Sequence, residues 1–202
     1  DKDKIARYEA LIPLAEAAIE ALPGEANSHF RHAFALGRYS QCISIAKALA
    51  QGIASKVRAS IDATLKIAPK HAEARTALGV YHAEIVGKVG GMLAKLTYGA
   101  SAGEAEKQLK EAIKLTPDSP IAWIEYGNAL LLLHGDQRED DVAGAYQKAS
   151  KIKARDAMGM LILVAVFRRA NLGVGRMGSI QRHEQDRRGQ VIRSLGSAQY
   201  RR

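Results

Sequence analysis

The spacing of apolar residues limits this chain to helices more strongly than any other feature. Over residues 1–158 apolar side chains recur every three or four positions, and Ala, Leu, Glu and Lys dominate. No segment alternates apolar and polar residues for long enough to indicate a strand. We therefore expect an all-α domain over 1–158.

Helix signals divide this domain into seven predicted helices. The first runs from about Lys4 to Leu22, with Leu11, Leu14 and Ala18 along its apolar side. The second runs from Asn27 or Ser28 towards Gly52 and places Cys42 in mid-helix. The others are predicted over 55–68, from 71 to at least 86, over 101–116, 119–134 and 140–153.

Local sequence signals also predict how these helices begin and end. Ser101 and Glu104 fit a reciprocal capping box, and Ser119-Pro120 fits a cap followed by proline at the first helical position. Gly135 is a C-terminal stop for the 119–134 helix. The glycine-rich segment 87–103 is either a frayed helix or a loop.

Self-comparison reveals a repeated pattern. Ala105, Leu109, Ala112 and Pro117 have the spacings of Val57, Ile61, Thr64 and Pro69, which lie 48 residues earlier. Leu-Gly pairs precede each set at 36–37 and 78–79, and Tyr126-Gly127 precedes Tyr146 and Ala149 in a third unit. A helical hairpin cannot bury its apolar face alone, so similar hairpins stack, and glycine allows the paired helix to approach closely.

This pattern resembles the tetratricopeptide repeat over residues 27–155, with joining segments longer than the family's and Ala154 where the third unit should have proline. Among divergent branches it is similar to the regulator of microtubule dynamics family with its bacterial relatives, and to the T component of periplasmic tripartite transporters. The resemblance implies a right-handed solenoid whose concave groove binds a partner. The groove positions that it implies are Phe34, Arg38, Gln41, Thr76, Val80, Ala83, Ile124, Asn128 and Leu131.

The glycine-rich segment is a candidate lid over the repeats. Met92, Leu93, Leu96 and Tyr98 give it an apolar surface, and loops with room to move often carry binding function. The leading prediction is a scaffold that holds a protein or peptide segment in the groove. The alternative is a carrier for a small apolar ligand, linked to transport, which requires a deep enclosed pocket.

Enzymatic and metal chemistry have no support in the sequence. No nucleophile–base pair, dinucleotide fingerprint or complete phosphate loop is present, and His29 with His32 lacks further ligands at metal-binding spacing. Neither a catalytic residue, a metal nor a cofactor is expected. Cys42 is interpreted as a small apolar side chain.

The basic charge is concentrated at the C-terminus. Residues 159–202 carry nine Arg, no Lys and two acidic side chains, whereas residues 1–158 carry 21 basic and 19 acidic ones. We expect one short helix at most and then irregular chain. Three interpretations stay open: a polybasic arm for nucleic acid or membrane, a disordered terminus, and a frameshift product after Met158. The start at Asp1, just before the first helix, favours a processed, exported (periplasmic) protein over a cytoplasmic one.

Overall fold

The structure is a computed structural model, and it describes residues 2–153. Within that range it is all-helical, without strands, as the apolar spacing predicts. The predicted tail 159–202 and its three interpretations lie outside the described residues. The helices are α1 (Lys2–Ala21), α2 (Ala26–Ser40), α3 (Ile45–Ala50), α4 (Ile53–Ile67), α5 (Ala72–Val89), α6 (Gly91–Tyr98), α7 (Ala102–Leu115), α8 (Pro120–His134) and, after a 3-10 turn (Gly135–Arg138), α9 (Glu139–Lys151).

Most of the predicted caps are confirmed. The Ser101 hydroxyl accepts a hydrogen bond from the Glu104 N–H at 3.2 Å, and the Ser119 hydroxyl accepts one from the Ala122 N–H at 3.4 Å. Gly135, with φ of 57°, ends α8. The reciprocal half of the capping box is wrong, because the Ser101 N–H donates to Nδ1 of His82 at 3.3 Å rather than to Glu104.

The predicted extent of the second helix is wrong. The second helix stops at Ser40, and Ser44 begins α3 by accepting a hydrogen bond from the Lys47 N–H at 3.2 Å. Cys42 therefore lies in a turn and is half-buried, not in mid-helix. In the glycine-rich segment, α5 continues to Val89, in agreement with the prediction of a helix that reaches at least residue 86. A separate short helix, α6, follows between Gly90 and Gly99, which both have positive φ, so the segment is neither a frayed helix nor a loop throughout.

The first helix packs with a different side from the one predicted. Ile5, Tyr8 and Ile12 contact the cluster of Leu36, Tyr39 and Ile53. The predicted apolar side, which carries Leu11, Leu14 and Leu22, faces solvent. The apolar residues of α1 lie on two sides, and only tertiary packing decides which side is buried.

The main contacts join helices in pairs along the chain. α2 packs along α4, α5 along α7, and α8 along α9; α1 packs on α2. Contacts of α4 with α5, of α7 with α8 and of α5 with α8 connect the pairs. The core is built from small residues and a few large ones, and the largest fully buried side chains include Leu36, Ile61, Leu109, Leu130 and Tyr146.

Glycines permit the closest helix contacts. A Cβ added at Gly79 would lie 2.5 Å from Cγ of Leu109, and one at Gly127 would lie 2.8 Å from Cε1 of Tyr146. The predicted role of glycine is thus confirmed for the α5–α7 and α8–α9 pairs. It is wrong for Gly37, where an added Cβ would meet nothing within 4 Å. No described helix is long and apolar enough to cross a bilayer.

Candidate interaction surfaces

The predicted groove positions of the first unit come together on α2 and on its C-cap residue, Gln41. Phe34 is 43% exposed, the guanidinium carbon of Arg38 lies 5.3 Å from its ring centroid, and Arg38 donates a hydrogen bond to the Gln41 amide oxygen at 3.2 Å. Phe30 supports Phe34 at a ring distance of 6.5 Å and contacts the ring of His71 at 4.9 Å. We call Phe34, Arg38 and Gln41 the α2 patch; it is an accessible aromatic–arginine surface on an ordered helix.

The second-unit positions are less accessible. Thr76 is half-buried, and its hydroxyl donates to the Ala72 carbonyl at 3.1 Å. Val80 is half-buried and packs on a cluster that contains Leu109 and Ala129. Ala83 belongs to the same cluster and is buried, so its assignment to an open groove is wrong.

The third-unit positions mainly serve the contact between α8 and α9. Leu131 is buried with Val142 and Tyr146, which corrects its predicted place in the groove. Ile124 is partly buried against the same cluster. Asn128 accepts a hydrogen bond from the Tyr146 hydroxyl at 2.8 Å, so its amide helps to join the two helices.

The predicted lid is the short helix α6. Met92, Leu93 and Leu96 are exposed, Met92 by 82%. Ala94 and Ala100 are fully buried, and Tyr98 packs on the cluster of Ile61, Leu78 and Tyr81. One side of α6 is therefore anchored against α4 and α5, and the other presents apolar side chains to solvent.

The histidines within residues 2–153 serve helix packing and capping. Nδ1 of His32 lies 2.8 Å from the Ser60 hydroxyl, and Nε2 of His29 lies 2.8 Å from the Pro23 carbonyl oxygen. Burial lowers the pKa of His32, although Glu16 opposes this effect. Within residues 2–153, no group of three or more His, Cys, Asp or Glu side chains is arranged to hold a metal ion.

His82 is a buried cap for α7 that the sequence did not indicate. It is almost fully buried, its Nδ1 accepts the Ser101 N–H, and its Nε2 makes no hydrogen bond with the described residues. Burial lowers the pKa of His82, and nearby Arg58 lowers it further, while Glu104 and Asp62 raise it. The ring is thus held neutral at the junction of α4, α5 and α7.

A cleft of about 740 Å³ lies on α7, α8 and α9, and sequence reasoning missed it. Trp123, Tyr126 and Ile113 form its apolar part, and its charged lining consists of Lys107, Lys110, Lys114, Lys148, Glu106 and Glu111. We call it the lysine–aromatic cleft. The only sequence feature that indicates this cleft is the spacing of Lys107, Lys110 and Lys114, which places the three lysines on one face of α7.

Glu106, which lines this cleft, forms ion pairs with three basic side chains. Arg138 donates to both of its carboxylate oxygens at 3.0 Å, His134 Nε2 lies 3.0 Å from one of them, and Lys110 donates at 3.1 Å. Burial raises the pKa of Glu106, but these hydrogen bonds outweigh it and lower the pKa to about 2. His134, the last residue of α8, thus joins α8 to α7 through Glu106.

No protein-family model matches the sequence, and no curated protein is significantly similar to it. The tetratricopeptide-like interpretation therefore depends on the internal repeat pattern alone.

Proposed function

We propose that α2 with α4, α5 with α7 and α8 with α9 are three hairpins stacked in the manner of a tetratricopeptide domain. The order of the helix contacts supports this proposal, because each pair also contacts the next one. The close approaches at Gly79 and Gly127 support it as well, since they occur at equivalent positions of the second and third units. In this arrangement α2, α5 and α8 are the helices that line one face.

We further propose that the protein is a non-enzymatic interaction module that binds a segment of a partner protein on this face. The observation that carries the proposal is the α2 patch. A large aromatic ring is exposed on an ordered helix, with an arginine already placed over it. Aromatic–arginine surfaces of this kind concentrate binding energy at protein interfaces.

The chemistry of the α2 patch defines the segment that fits it. Phe34 offers an apolar ring face, while Arg38 and Gln41 offer donors at one edge. An apolar side chain placed against Phe34, followed by a carboxylate or carbonyl within reach of Arg38, would satisfy both. Val80 and Thr76 on α5 extend the same face with a smaller, mostly apolar surface.

Site-specific photo-crosslinking tests the proposal. A photoreactive phenylalanine analogue replaces Phe34 in the full chain, and irradiation follows in extract of the source organism. Position 67 on α4 is the matched control, because Ile67 is 41% exposed, almost as much as Phe34, but is not on the proposed face. We expect one protein adduct from position 34, mapped to a single segment, none from position 67, and a weaker adduct when Arg38→Ala is added.

Two outcomes would contradict this proposal. Equal adducts from positions 34 and 67 would mean that the α2 patch has no special affinity for protein. A small apolar molecule as the only adduct from position 34 would favour the carrier function instead. In either case the interaction module would have to be abandoned as the primary function.

A further inference from the structure

The lysine–aromatic cleft is separate from the α2 patch and shares no residue with it. Its floor is formed by Trp123, Tyr126 and Ile113, which are all partly buried. Four lysines surround this floor, three from α7 and Lys148 from α9. The cleft therefore combines apolar area with donors that project into solvent.

Positively charged side chains outnumber negatively charged ones in this cleft. The four lysines face two glutamates, and the half-buried side chain of Glu106 is already engaged by Arg138 and His134 as well as by Lys110. Lys107 and Lys114 pair with Glu104 and Glu111 at exposed positions, where such pairs are worth little and exchange readily. The net charge of the lining side chains is positive.

Lys148 is the cation most available to a ligand. Its ammonium nitrogen lies 4.5 Å from the centroid of the Trp123 ring. Among residues 2–153 no carboxylate forms an ion pair with it. A cation held over an aromatic face is partly desolvated and fixed in place, which reduces the entropy lost when it meets an anion.

We infer that the lysine–aromatic cleft binds an acidic segment of a partner protein. Carboxylates of that segment contact Lys148, Lys114 and Lys107, and one aliphatic side chain occupies the apolar floor. Single-stranded nucleic acid fits less well, because lysines already lie over the faces of Trp123 and Tyr126, where bases would have to stack.

The only tryptophan of the chain reports directly on this cleft. The full chain is titrated with a short synthetic peptide of alternating Glu, Asp and Leu, which has no aromatic residue, and Trp123 emission is followed. We expect a saturable change that weakens as salt is raised, because the contacts are exposed and ionic. A peptide with Lys in place of the acidic residues and an oligothymidylate are titrated in parallel.

Charge reversal locates the binding. Lys148→Glu replaces attraction by repulsion, so we expect affinity for the acidic peptide to fall about tenfold. Lys66→Glu is the control, because it changes net charge equally from the exposed end of α4, and we expect a change of less than about twofold. Lys148 is exposed, so the variant is expected to keep the helical circular dichroism of the unmodified protein.

Each other outcome would overturn the inference. No saturable change in Trp123 emission with the acidic peptide would mean that the cleft is not a binding site for acidic segments. Equal losses of affinity for the acidic peptide in Lys148→Glu and Lys66→Glu would indicate a long-range effect of net charge and not binding in the cleft. Tighter binding of oligothymidylate than of the peptide at equal salt would make the cleft a nucleic-acid site. None of these results bears on crosslinking from position 34, so the two proposals fail independently.

Discussion

Substitution of Gly79 by alanine tests the packing of α5 on α7. The added methyl carbon would lie 2.5 Å from Cγ of Leu109 and 3.0 Å from the backbone oxygen of Ala105. Leu109 is fully buried, so its side chain has little room for another χ1 rotamer, and no rotamer change moves the backbone oxygen of Ala105. The two helices have to move apart.

The expected magnitude follows from two opposing terms. Overpacking of this kind costs about 1–3 kcal/mol, and a backbone contact favours the upper end of that range. Alanine in place of a mid-helix glycine recovers about 1 kcal/mol of helix propensity. We therefore expect Gly79→Ala to lower the free energy of unfolding by about 1–2 kcal/mol.

Gly37→Ala is the matched control, because it makes the same change inside α2 with nothing within 4 Å of the new methyl group. It should raise the free energy of unfolding by about 0.5–1 kcal/mol. Urea denaturation followed by circular dichroism measures both variants. If Gly79→Ala stabilised the protein as much as Gly37→Ala, the close approach of α5 and α7 would be refuted.

Three further predictions concern Glu106, His82 and Ser101. The folded-state pKa of Glu106, about 2, lies below its ordinary value of 4.5, which corresponds to a contribution of about 3 kcal/mol to the free energy of unfolding. This contribution is present above pH 5 and is lost as pH falls towards 2, so Glu106→Gln should remove it at pH 7 and flatten the acid limb of urea denaturation. The lowered pKa of His82 means that the unfolded chain takes up its proton first, so stability falls as pH drops below about 6.5, and His82→Gln should reduce the slope between pH 7 and 5. Ser101→Ala removes the cap of α7 and should cost about 1 kcal/mol in the same assay.

Specific results would contradict these three predictions. An unchanged acid limb in Glu106→Gln would mean that the contacts with Arg138 and His134 do not persist in solution. A slope between pH 7 and 5 that His82→Gln leaves unaltered would mean that the ring is accessible to protons. Full stability of Ser101→Ala would assign the capping of α7 to other groups.

Local rules explain why much of the fold could be predicted from sequence. The caps at Ser101 and Ser119 and the stop at Gly135 involve residues within a few positions of one another, so their chemistry can be read along the chain. The glycines at 79 and 127 could also be predicted, because a repeated hairpin needs a small residue where its helices meet.

Features that depend on tertiary contacts could not be predicted in this way. The buried side of α1 is determined by packing against the cluster around Leu36, so the leucine stripe from Leu11 to Leu22 is exposed although its spacing predicts burial. Leu131 packs in the core against Val142 and Tyr146 of α9, so it does not line a groove. The lysine–aromatic cleft joins Trp123 to Lys148, which are distant in sequence and have no shared motif.

Hydrogen exchange most directly tests the central claim, that the protein binds a partner segment on the face that includes the α2 patch. Exchange would be measured by mass spectrometry on the full chain, alone and with the partner segment identified by crosslinking from position 34. The account predicts slower exchange over residues 30–41 of the α2 region and unchanged exchange over α4. Slower exchange in α4 or α6 without any change in α2 would contradict it.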